Sequence, residues 1–81
     1  MREFLSNEID LVINDNLEWY NDTLNNDTLL RHLDKSGLEK DIKILETLTE
    51  EDKENIINKL IDDEHLTEVL HETINYYIFH K

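Results

Sequence analysis

The chain has 81 residues, twenty acidic and eight basic side chains, a net charge of −12, one glycine, and no cysteine or proline. That length makes one domain, burying only about 60% of its unfolded surface, so self-association is an obvious route to a larger core. The missing cysteines exclude a disulfide scaffold and thiolate metal sites, and the negative charge argues against direct binding of nucleic acid or anionic membrane.

Met1-Arg2-Glu3 is followed by Phe4 and Leu5 and then by polar residues, which predicts no secretory signal. No stretch approaches the roughly 20 apolar residues needed to span a bilayer. A cytoplasmic protein is expected. The chain has no alanine and is rich in asparagine, isoleucine, aspartate, glutamate and lysine. AT-rich codons dominate among these, so the expected source is a low-GC bacterium or one of its phages or plasmids.

Glu3 to about Asp22 reads as the first helix. Leu5, Ile9, Val12, Ile13, Asn16, Leu17 and Tyr20 share one broad face. Glu8, Asp15, Glu18 and Asp22 lie on roughly the opposite face, yet Phe4 and Leu11 sit among them and Trp19 at their edge. Two readings are open. The helix packs on two sides, or Phe4 folds back at a frayed terminus. Alternatively, Phe4, Leu11 and Trp19, ringed by carboxylates, form a partner or dimer surface.

Asn21 to Thr28 reads as a break, because Asn and Asp side chains bond to nearby backbone. Its two Asn-x-Thr tripeptides are read as composition, since no secretory signal is expected. Asp27 or Thr28 is expected to cap a short helix from Leu29 to Lys35. Gly37, the one glycine, falls where a left-handed C-terminal cap would stand. A helix from Leu38 to Leu48 would bury Leu38, Ile42, Leu45 and Leu48, with Ile44 at the side.

Thr49-Glu50-Glu51-Asp52 is the strongest helix start, with Thr49 as cap and acids in the first turn. This helix is expected to reach about Ile61 and bury Ile56, Ile57, Leu60 and Ile61. After Asp62 the last helix is expected to run to Phe79, capped by Asp63. Leu66, Leu70, Thr73, Ile74 and Tyr77 would form its stripe, with Val69, Tyr76 and Ile78 flanking. Glu64, Glu68, Glu72 and Asn75 would point away. The expected fold is all-α, a small bundle of four to five short helices.

Motifs that carry catalysis are sparse. Glu68-x-x-His71 is half of a dimetal-carboxylate motif and lacks its second half. Ser6 and Ser36 have no base-bearing motif, and no glycine-rich phosphate loop occurs. The four histidines, His32, His65, His71 and His80, read as surface groups or as a pH sensor. No enzyme, metal or cofactor is expected.

Charge is the stronger lead. Residues 1–28 carry −6, residues 29–61 carry −2 and residues 62–81 carry −4. In size and charge the chain resembles small acidic helical phage proteins that inhibit host nucleases, defence complexes or polymerases. That resemblance is of composition and carries no residues over. Duplex DNA has about one charge per 1.7 Å, whereas the stripe Glu8, Asp15, Glu18, Asp22 has one per roughly 5–7 Å. One helix alone is therefore a sparse DNA mimic, and further acids must join it.

The leading expectation is a non-enzymatic interaction protein that meets a basic, nucleic-acid-binding host protein and blocks nucleic-acid access. Glu8, Asp15, Glu18, Asp22, Asp62, Asp63, Glu64 and Glu68 would carry the charge. Phe4, Leu11 and Trp19 would be apolar anchors. The alternative is a small homodimeric structural or regulatory module whose charge serves only solubility.

Overall fold

A computed structural model describes residues 1–63 and 69–80. They form five α-helices: α1 (Arg2–Leu24), α2 (Asp27–Leu30), α3 (Lys35–Glu46), α4 (Glu50–Asp62) and α5 (Leu70–Phe79). No strand occurs among the described residues, so the fold is a small all-α bundle.

Helix α1 organises the rest. No glycine or proline interrupts its 23 residues, and at 1.5 Å per residue it is about 34 Å long, close to the molecule's longest dimension of 41 Å. It touches each of the other four helices. Leu5, Ile9 and Val12 enter the core with Leu45, Ile56, Ile57, Leu60, Ile74 and Ile78, while Ile13, Leu17 and Tyr20 pack at its margin. Thr23 is buried, and its hydroxyl donates to the Trp19 carbonyl at 2.7 Å.

Polar ties fix α1 against three of its neighbours. Lys53 of α4 reaches Asp10 at 2.8 Å, and Arg2 bonds Glu54 and Asn58 of the same helix. The Tyr20 hydroxyl donates to Asp41 of α3 at 3.0 Å. Asn16 donates to Asn75 of α5 at 2.6 Å and to its own Val12 carbonyl at 2.9 Å. That bridge turns Asn75 toward α1, not away from the bundle as the periodicity had predicted. The core stripe of α5 is centred on Ile74 and Ile78, so Ile78 is core and not flank.

The helix ends differ from expectation where several polar residues compete to cap. Asn26, not Asp27 or Thr28, caps α2, accepting from Thr28 N–H at 3.1 Å and Leu29 N–H at 3.2 Å. That helix stops at Leu30. Asp34 caps α3, accepting from Ser36 N–H at 3.1 Å, so Gly37 lies inside the first turn of a helix and does not end one. No glycine has a positive φ. At α4 the capping box closes in both directions, Asp52 N–H to Thr49 Oγ1 at 3.1 Å and Thr49 N–H to Asp52 Oδ2 at 3.0 Å. Ile61 is exposed rather than buried. Asp63 is the C-terminal cap of α4. Helix α5 begins at Leu70 with Val69 as its N-terminal cap, not at Asp63, and Glu64, His65, Leu66 and Glu68 lie outside the described residues.

Candidate functional site

Because the core takes the Leu5–Ile9–Val12 face of α1, the opposite face must meet solvent. Phe4 is 54% exposed, Leu11 51% and Trp19 54%. Asp15, Glu18 and Asp22 are exposed beside them. Among the described residues the core lies on one side of α1, and Phe4 stands outside it. At 100° per residue, Phe4, Glu8, Leu11, Asp15, Glu18 and Asp22 fall within about 80° of one another, with Trp19 bordering them. Large apolar groups are unusual on the solvent side of a surface helix, and here Trp19 also meets Tyr20 edge-on with ring centroids 5.1 Å apart.

Glu8 differs from the other acids of the face. It sits at the margin, its side chain is only 19% exposed, and it meets His71 Nε2 of α5 at 2.7 Å. Asp62 and Asp63 stand on another element, at the C-terminal end of α4. Glu64 and Glu68 fall outside the described residues. The structure therefore unites Phe4, Leu11, Asp15, Glu18, Trp19 and Asp22 on one helical surface. It gives Glu8 an internal partner.

The C-terminal half of this face also runs against the helix dipole. Asp22 lies in the last turn of α1, where the backbone carries partial negative charge, and no basic residue occupies that turn. A cation arriving there would meet the Asp22 carboxylate and the negative end of the helix dipole together.

Other exposed apolar residues occur in ones and twos: Met1, Leu29, Leu33, Ile61, Val69 and Tyr76. Scattered residues of this kind are ordinary for a small protein. Tyr76 is stacked on His80 with ring centroids 4.5 Å apart. Sequence periodicity had placed Ile61 in the core and so missed its exposure.

Features suited to chemistry are few among the described residues. Among the described residues, no group of three or more His, Asp or Glu side chains is arranged to hold a metal ion. A depression of about 140 Å³ is lined by Val12, Asp15, Asn16, His71 and Asn75, and another of similar size by Asp52, Asn55, Ile56, Lys59 and Tyr77. Ligand sites usually enclose about 300–1,000 Å³. A larger depression, about 360 Å³, is an open surface hollow over residues 69–72. Among the described residues, no helix is long and apolar enough to cross a membrane.

Fold and surface together define the class: a small acidic helical bundle presenting a mixed aromatic, aliphatic and carboxylate face on its longest helix. Compared with known proteins, the chain matches no family model, no curated protein and no solved structure.

Proposed function

We propose that this is a non-enzymatic interaction protein, phage- or mobile-element-encoded and cytoplasmic. It binds a basic surface of a nucleic-acid-binding host protein and blocks access of nucleic acid. The observation that carries the reading is the outward placement of Phe4, Leu11 and Trp19 among Asp15, Glu18 and Asp22. Apolar anchors provide affinity when desolvated, and a ring of like charge selects a partner of opposite sign and speeds encounter. The net charge of −12 adds a long-range field of the same sign.

The test is a pull-down from lysate of a low-GC bacterium with two baits, the native chain and the double variant Asp15→Lys/Glu18→Lys. A basic nucleic-acid-binding protein should be retained by the native bait and eluted at moderate salt, because exposed charge pairs are screened. The double variant should lose it, and adding the native chain should displace nucleic acid from the captured protein. Capture that is insensitive to both salt and the double variant would defeat the proposal.

The second reading, a homodimeric module, draws on the same exposed apolar residues. Sedimentation separates the two, because a tight dimer burying Phe4 and Leu11 would leave no anchors for a host target.

A further inference from the structure

Among the described residues, two polar ties join α5 to α1, and they stand one turn apart on α5. His71 Nε2 meets Glu8 Oε2 at 2.7 Å. Asn16 Nδ2 donates to Asn75 Oδ1 at 2.6 Å and to the Val12 carbonyl at 2.9 Å, which uses both of its hydrogens. This amide bridge is partly buried, and Asn75 directly follows the fully buried Ile74. Aliphatic side chains fill the core beside it.

Those aliphatic side chains leave one thing undecided. Leu70, Ile74 and Ile78 form a row on α5 at intervals of four, and Leu5, Ile9 and Ile13 form a row on α1 at the same interval. Tyr77 and Phe79 pack only at the margin of the core. Rows that repeat every turn do not by themselves fix how far one helix stands along the other. After a slide of α5 by one turn, about 5.4 Å, at least two of its three row places still hold Ile or Leu. The polar ties do not survive that slide. One direction sets Phe79 against Asn16 and leaves the Asn16 amide without an acceptor on α5. The other sets His71 against Asn16. Either direction takes His71 off Glu8.

We infer that the Asn16–Asn75 bridge, with the His71–Glu8 pair, is a register lock that selects this docking of α5 over the dockings one turn away. Asparagine between packed helices specifies register at a cost in stability, and displacement of one element by a turn along its neighbour is a known form of switching. The lock also sets the charge of the outward face of α1, because Glu8 has its imidazole partner only in this register.

The chain has no cysteine, so two introduced cysteines carry spin labels without ambiguity. Asp22→Cys on α1 and Glu72→Cys on α5 replace exposed residues outside both ties. The distance between the labels, read by pulsed electron resonance, reports the position of α5 along α1. With the native lock, one narrow distance is expected. In the Asn16→Leu/Asn75→Leu variant only the rows hold α5, and a second or displaced distance is expected, shifted by up to about 5 Å. The urea midpoint of that variant should equal or exceed the native one. Asn75→Leu alone should fall below both, because it leaves the Asn16 amide without its partner across the interface.

One unchanged distance in the folded double variant would overturn the inference, since packing alone would then fix the register. A midpoint for the double variant below that of Asn75→Leu would overturn it too, by making the bridge a source of stability. Should leucine crowd the site and leave the chain unfolded, the distance is read in Asn16→Ala/Asn75→Ala, where one unchanged value overturns the inference in the same way.

Discussion

His71 Nε2 stands 2.7 Å from Glu8 Oε2, tying the first turn of α5 to α1 and drawing Glu8 out of the acidic face it shares by periodicity. A carboxylate already facing a partner has less to offer an incoming cation. Glu8→Gln should therefore weaken binding of a basic peptide much less than Glu18→Gln, as measured by titration of Trp19 fluorescence. Its cost to stability in urea unfolding should be below about 1 kcal/mol, the usual range for a pair with one exposed member. A binding loss equal to that of Glu18→Gln would restore Glu8 to the interface.

Neighbouring residues at the start of α1 have opposite fates. Leu5 is fully buried, whereas Phe4 is half exposed. Leu5→Ala should cost about 2–5 kcal/mol, because it removes transfer energy and leaves a cavity. Phe4→Ser should change stability by less than about 0.5 kcal/mol, as surface substitutions do. Paired urea melts check both, and a large loss from Phe4→Ser would mean that Phe4 serves the fold.

Burial, with help from the adjacent Asp41 carboxylate, pushes the Tyr20 phenol up from its ordinary 10.0 to about 12. Between those values the unfolded chain has released the proton and the folded chain has kept it. The unfolded state then binds fewer protons, so unfolding becomes easier as pH rises. The contribution is complete below about pH 10 and is lost progressively toward pH 12. Tyr20→Phe should remove this alkaline component and cost about 1 kcal/mol at neutral pH through the lost hydrogen bond. Urea melts of both proteins across that range measure it.

Gly37 occupies the first turn of α3 with ordinary helical backbone, where glycine is a poor helix former. A Cβ there would come within 3.2 Å of Asp34 Oδ2, the far end of an exposed side chain that caps through its other oxygen. The propensity gain should outweigh that small adjustment, and Gly37→Ala should stabilise by roughly 0.5 kcal/mol in thermal or urea melts. A net loss would show that the capping carboxylate cannot shift.

The inner face of α1 and the Thr49 start of α4 were legible because each is written in local spacing, whereas spacing left open whether Phe4, Leu11 and Trp19 meet solvent or a second layer of the chain. Asn75 was not, since a polar residue satisfied across a helix interface by Asn16 has the same periodicity as one turned to water. The joint between α2 and α3 was misread for a related reason. Asn26, Asp27, Thr28 and Asp34 are all competent caps, and local spacing does not say that Asn26 serves α2 and Asp34 serves α3. Gly37 likewise suits a helix end or a first turn, and only the Asp34 cap decides. Glu8 looked equivalent to Asp15 and Glu18 because nothing local reveals that His71, 63 residues away, lies beside it.

The central position of α1 has a consequence for how the chain is made. Helix α1 is synthesised before α5 and completes its core only when Ile74 and Ile78 arrive, with ties spanning 59 and 63 residues. At about 5–20 residues per second, α1 waits roughly 3–12 s for α5. A lone helix of that length is marginal in water, and both of its apolar faces are uncovered meanwhile. The bundle therefore closes only once α5 has been made, around a helix made earlier, and until then the nascent chain is a client for any chaperone that reads exposed hydrophobic stretches.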